Sequence, residues 1–253
     1  SVDGRVTVKK GDVNVMTYED LPGGGWVITS GVTFFSNYDI KSDQDYANRF
    51  ILRNILNSLK PAETVTKIAD VHKAAEKEQF TVEGTVTANA SGYDKNTAFF
   101  DCIYVQDNTA GINAFPVAGN FKIGDKVRVT GTTSSYQGER QLAVTKIEEI
   151  ADAEAPAPKE VTAAQIIDGS FLGSLVKIKG TITRVEEAEG KIQTIMVKDA
   201  AGNEARVFID GYITKDKEVQ NAVIGNQVEA VGLASYDNTF VLSDGTPVYP
   251  RIR

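Results

Sequence analysis

The chain has 253 residues, 24% of them charged, and a formal net charge of −7. That length allows one to three small domains, and no apolar run approaches the ~18 residues that a membrane-spanning helix needs. A single cysteine, Cys102, excludes a disulfide within the chain and any multi-cysteine metal site.

Residues 1–60 read as a small α/β segment. Val6-Thr7-Val8, Val13-Asn14-Val15 and Trp26-Val27-Ile28-Thr29 are short strand candidates. Gly23-Gly24-Gly25 precede a strand rather than open a helix, so they are a turn and not a phosphate cradle. Asp43 is placed to cap a helix over 44–59, where Tyr46, Phe50, Ile55 and Leu59 recur at helical spacing.

Residues 61–79 form a lead-in with a short helix near 68–77, carrying the only histidine, His72. A lone histidine with no nucleophile or second ligand beside it is a poor catalyst. From Phe80 the pattern changes to strict alternation. The blocks VEGTVTA, IYVQDNTAGINAF and IGDKVRVTGTTSSYQGERQL occupy 80–150. After the Ala/Pro/acid connector ADAEAPAPKE at 151–160, the lead-in VTAAQIIDG is followed by IKGTITR, IMVKDAAGNEARVF and IGNQVEAVGLASYDNTFVL. Period two means strand, and the Asp-Asn-Thr-Ala-Gly and Asp-Ala-Ala-Gly runs are turns between strands. Each copy offers about five strands, the content of a small Greek-key barrel. The expected architecture is mainly β: two five-stranded barrels in tandem behind the α/β segment. Its divisions are 1–60, 61–150, the linker 151–160 and 161–253.

The order GxVT, a strand ending in QD or KD, a glycine turn, IGDxVxVxG and a tyrosine-containing turn resembles the OB-fold domains of bacterial secreted and cell-surface proteins. Those domains accompany extracellular nuclease, phosphatase or nucleotidase domains. The resemblance covers about 150 residues and is most specific at Ile123–Gly131; the second copy departs from it with Asn226 in place of Asp125. GGGWVITSGVTFFSN…DYANRFILRNIL resembles the C-terminal end of a glutamine-amidotransferase-like, Rossmann-like domain, but lacks the cysteine of that chemistry. The chain opens SVDGRV, without a leader's charged and apolar regions, and is expected to be a piece of a longer secreted or surface protein.

No HExxH, CxxC, GxSxG or DxDxDG motif is present, so the expectation is a non-catalytic segment without metal or cofactor. OB barrels bind across strands 2 and 3, between the loops joining strands 1–2 and 4–5. In the first copy that surface is expected to hold Tyr93, Phe100, Tyr104, Gln106, Asn113, Phe115, Tyr136 and Arg140. Aromatic rings with one arginine and amides suit stacking on the bases of single-stranded nucleic acid. The same set suits sugar rings, which leaves a carbohydrate- or cell-wall-binding module as the alternative. A third reading is an accessory part of a nucleotide- or nucleic-acid-cleaving hydrolase. The remaining partners would be neighbouring domains of the same polypeptide.

Charge argues for weak binding. The first copy carries six basic against eight acidic residues, and the second (171–253) ten against eleven. A strong polyanion binder needs a basic stripe. Folding would have to gather Lys177, Lys179, Arg184, Lys191 and Lys198 to make one. Tyr236 reads as the second copy's counterpart of Tyr136.

Overall fold

The computed structural model describes residues 7–10, 13–20, 26–30, 64–89, 101–117, 119, 121–214 and 217–253. The chain divides into two units, 1–63 and 64–253. In the first, β1 (Thr7–Lys10), β2 (Val13–Asp20) and β3 (Trp26–Ser30) form an antiparallel sheet in that order. Each strand overlaps one of the strand candidates read from the sequence. The expected helix at 44–59 and the glycine turn at 23–25 lie outside the described residues, as do Tyr93 and Phe100.

The second unit begins with α1 (Ile68–Val71), shorter than the spacing predicts. The chain leaves the helix at His72, whose Nε2–H donates to the Gly111 carbonyl at 2.7 Å, and Lys77 takes a positive φ of 68°. Then come β4 (Gln79–Asn89), β5 (Asp101–Gln106), β6 (Gly111–Val117), β7 (Asp125–Tyr136) and β8 (Glu139–Asp152). They close a barrel in the order β4-β5-β6-β8-β7, with only the β6–β8 pairing parallel. Val82, Val86, Ile103, Val105, Ile112, Val127, Val129 and Leu142 fill it, and Ile68 and Val71 of α1 pack on the same core.

The second copy contains β9 (Lys159–Glu160), α2 (Ala163–Ile167), β10 (Leu175–Ala188), β11 (Lys191–Lys198), β12 (Glu204–Phe208), α3 (Gly211–Thr214), β13 (Gln227–Tyr236) and β14 (Pro250–Ile252). Its sheet runs β11-β12-β14-β13-β10-β9, with a further pairing of β11 to β10. Each pairing has a counterpart in the first copy, including the parallel pair β12–β14. Val176, Ile178, Ile195, Val197, Val207 and Ile252 form its core.

The shared motifs have shared physical causes. A Cβ on Gly84 would sit 2.7 Å from the Gln106 carbonyl oxygen, and one on Gly180 would collide with the Lys198 carbonyl. The glycine of each first block therefore lets strand one lie against the end of strand two. The aspartate of QD and KD holds the lead-in. Ile68 N–H donates to Asp107 Oδ2 at 2.9 Å, and Ala163 N–H to Asp199 Oδ2 at 2.9 Å. Each lead-in also pairs in parallel with its first strand, Val65 with Thr81 and Lys159 with Val176.

The connector, read from the sequence as an extended linker, is tied to its neighbours at both ends. β8 runs on to Asp152, Ala153 N–H donates to Gly124 O at 2.9 Å, and residues 159–160 already belong to β9. No helix among the described residues is long and apolar enough to cross a membrane.

Candidate functional site

The alternation on β5 is as read: Ile103 and Val105 face the barrel core, while Tyr104 faces outward. The outward face does not reach solvent. Tyr104 is fully buried in a cluster with Ala88 and with Leu233 of the second copy, flanked by Cys102, Leu175 and Ile213. Its hydroxyl donates to Glu139 Oε1 at 2.8 Å and accepts from Arg253 Nη1 at 3.1 Å. Burial, and next the Glu139 charge, push the Tyr104 hydroxyl above its ordinary pKa. Gln106 Oε1 accepts the Leu175 N–H at 2.8 Å, and Asn113 Oδ1 accepts the Cys102 thiol at 3.0 Å. Burial lifts that thiol to a pKa of about 11. Gly111 N–H donates to Ser174 Oγ at 3.0 Å, and the Gly111 and Gly173 backbones meet so closely that a Cβ on either would overlap the other's carbonyl.

The expected binding face is thus corrected at Tyr104, Gln106 and Asn113. In this arrangement it is the seam between the two copies, and no face of the Tyr104 ring is left for stacking. Sequence reasoning treated the copies separately and had no signal for how they dock.

Phe115 is half-buried on β6 beside Pro116. Tyr136 remains 66% exposed, next to a two-residue turn in which Gln137 and Gly138 have φ of 50° and 84°. Positive φ at both central residues makes a tight hairpin that matches strand twist. Tyr136 lies directly opposite Glu139, and Ser135 opposite Arg140. Directly opposed residues share a face and neighbours alternate, so Tyr136 and Arg140 point to opposite sides. Arg140 turns toward the lead-in: Nη2 donates to Ala74 O at 2.6 Å, and Nη1 lies 3.8 Å from Glu76 Oε1. The expected partnership of Tyr136 with Arg140 does not form.

Tyr236 is also not the positional equal of Tyr136. Gly131 pairs with Phe80 and Gly232 with Val176 at the same place in each copy. Tyr136 follows its glycine by five residues and Tyr236 by four. A one-residue slip in a strand reverses the face.

The residues the sequence reading missed lie on the outer face of the second copy. Ser235 Oγ donates to Glu139 Oε2 at 2.7 Å and accepts from Arg251 Nε at 3.2 Å. Arg251 Nη1 donates to Asp237 Oδ2 at 3.0 Å, and Arg253 Nε to Asp210 Oδ2. Arg206 is 1% exposed, its guanidinium 3.2 Å from the Phe240 ring centroid and 5.4 Å from that of Phe208. Burial, with Arg251 nearby, lowers the Arg206 pKa to about 10. Burial also raises Glu139, against the hydrogen bonds of Ser235 and Tyr104 and the charges of Arg253 and Arg251. A period-two signal for the arginines was visible: Arg206 and Val207, and Arg251, Ile252 and Arg253, alternate between outer face and core.

Three of the lysines named for a basic stripe lie beside carboxylates. Lys177 and Lys179 each lie within 4 Å of Glu160 and Glu229, and Lys198 lies 2.9 Å from Glu204. Arg184 lies 2.6 Å from Glu186 and 2.5 Å from Asp244. Asp125, Glu149 and Asp152 bring carboxylate oxygens within 4.8 Å of one another, but Asp125 already accepts the Lys122 N–H at 2.6 Å.

No protein-family profile matches the chain, and no curated protein does. Solved structures similar to it include p202 HIN1 in complex with a 12-mer double-stranded DNA, at 13% identity and a TM-score of 0.36, covering 70% of this chain and 89% of that one. The tetrameric p202 HIN2 is 13% identical with a TM-score of 0.35, covering 76% and 91%. A replication protein A heterotrimer bound to single-stranded DNA is 12% identical with a TM-score of 0.27; the match covers 59% of this chain and 43% of that one. Likeness at these values does not carry a ligand across.

Proposed function

We propose that the chain is a non-catalytic tandem OB-fold segment of a larger secreted or surface bacterial protein, in which the two copies are cemented into one stiff spacer. The secreted setting and the reading of both copies as OB folds rest on the repeated sequence blocks. The stiffness rests on one observation: Glu139 of the first copy is buried between Tyr104 and Ser235, with hydrogen bonds of 2.8 and 2.7 Å reaching both. A buried carboxylate satisfied from both sides holds its partners in a single geometry, because losing either leaves a desolvated charge.

In this reading the first copy contacts single-stranded nucleic acid only weakly, through Tyr136 at the rim of the seam. Stacking on one exposed tyrosine supplies little affinity. Titration of fluorescein-labelled oligo-dT with the full chain should give a dissociation constant no tighter than about 10⁻⁴ M, the weak end of non-specific binding. Saturable sub-micromolar binding by the unmodified chain, or turnover of DNA, RNA or phosphate esters with divalent metals present, would overturn the reading.

A further inference from the structure

In the first copy two residues join β7 to β8. In the second, thirteen residues (237–249) separate β13 from β14. That longer connection folds back over the outer face of its own barrel. Asp237 Oδ2 lies 3.0 Å from Arg251 Nη1 and 3.8 Å from Arg206 Nη1. The Arg206 guanidinium sits over the Phe240 ring, 3.2 Å from its centroid, and the Val248 carbonyl accepts from Arg206 Nη1 at 3.3 Å. Farther along, Asp244 and the Ser243 hydroxyl engage Arg184, the latter at 2.8 Å.

The pattern is that of an internal ligand. Two carboxylates sit on three arginines, and an aromatic ring stacks on one guanidinium between them. We propose that segment 237–249 is a strap occupying a binding face for single-stranded nucleic acid, and that Arg184, Arg206, Arg251 and Phe208 engage phosphates and a base once the strap is released. This goes beyond the spacer reading and does not depend on it.

The closed state leaves one of its arginines incompletely satisfied. Arg206 is 1% exposed, yet its Nε has no hydrogen-bond partner. Burying a guanidinium with an unpaired donor is costly, and a phosphate-bearing chain supplies more acceptor oxygens than Asp237 does. The strap is also anchored in part through exposed groups: Asp244 has 52% of its side chain in solvent and Val241 is 53% exposed.

The test uses the full chain and fluorescein-labelled oligo-dT at low salt, followed by anisotropy. The strap variant Phe240→Ala/Asp244→Asn should bind at least about tenfold tighter than the unmodified chain, and adding Arg184→Ala should remove the gain. Three arginines displacing counterions from a single strand predict a log–log salt slope of roughly −2. No gain in a strap variant with an unchanged circular dichroism spectrum would show a plain structural plug and overturn the proposal. A gain that survives Arg184→Ala would overturn it too. If the double variant does not fold, Asp244→Asn alone decides, because that side chain is half in solvent: it must bind tighter than both the unmodified chain and Asp244→Asn/Arg184→Ala. The spacer reading fails on a different result, tight binding by the unmodified chain.

Discussion

Ser235 donates a 2.7 Å hydrogen bond to Glu139 across 96 positions of sequence, from the second copy to the first. The other carboxylate oxygen of Glu139 takes the Tyr104 hydroxyl. Glu139 is therefore one of the points, with Gln106, Gly111 and Tyr104, at which the two repeats are joined.

Replacing it by alanine strands the Tyr104 and Ser235 hydroxyls and removes one of the negative charges near Arg251 and Arg253, which keep Asp237 and Asp210 as partners. Glu139→Ala should cost about 2–4 kcal/mol of unfolding free energy in urea titrations, given the typical penalty for each stranded buried group. Glu139→Gln keeps one acceptor and should cost less. Equal losses in the two variants would show that packing, not hydrogen bonding, dominates at this position.

Burial raises the Glu139 pKa above its ordinary value of 4.5. For a carboxyl raised in the folded state, its relative contribution is full below the unfolded pKa and is lost as pH rises through the folded one. The stability advantage of the unmodified chain over Glu139→Gln should therefore shrink as pH rises from about 4 toward neutrality. Asp237 runs the other way. Burial opposes its ionisation, but hydrogen bonds from Thr239 and the charges of Arg251 and Arg206 keep its pKa low, so its contribution is lost as pH falls. Asp237→Asn should destabilise most near neutral pH and least in acid. Paired urea titrations at pH 4 and pH 7.5 check the Glu139 sign, and titrations at about pH 2.5 and pH 7.5 check that of Asp237.

Much of the fold was legible because its causes are local. Gly84 and Gly180 stand where one strand crosses close to another, and Asp107 and Asp199 tie a lead-in to a strand end, so composition and spacing carry the information. The inward phase of Ile103 and Val105 was legible for the same reason. What Tyr104 faces was not. Leu233, Arg253 and Glu139 reach it only through docking of the copies, and no local pattern encodes that. The pairing of Tyr136 with Tyr236 misled because matching residue types hid a one-residue slip. The strap was visible only as length between two strands, with no period to show where it folds.

Gly84→Ala and Gly180→Ala test the local account. Each new methyl group meets the carbonyl of the neighbouring strand, at 2.7 Å for Gly84. Backbone must move, and the cost should be roughly 1–3 kcal/mol, as for other overpacked sites. A neutral effect at both would contradict the close-approach explanation of the shared motif.

Cys102 reports on the seam. With its pKa raised to about 11, and Asn113 accepting from it, the thiol should react slowly with a disulfide reagent at pH 8. Gly173→Val, which drives a side chain into the Gly111 backbone, should accelerate the reaction at least about tenfold if it opens the seam without unfolding either core. Unchanged reactivity, with a melting temperature also unchanged, would mean that the two backbones can part without uncovering the Tyr104 face.

The most direct measurement of the central claim is the distance between the repeats in the full chain. With Cys102 replaced by alanine, spin labels at Lys126→Cys and Glu204→Cys place one probe on each copy, and double electron–electron resonance reads their separation. A cemented seam predicts one narrow distance distribution, which broadens when Glu139→Ala is added. A distribution already broad with Glu139 in place would mean that the copies move independently on the 151–160 connector, and would contradict the account.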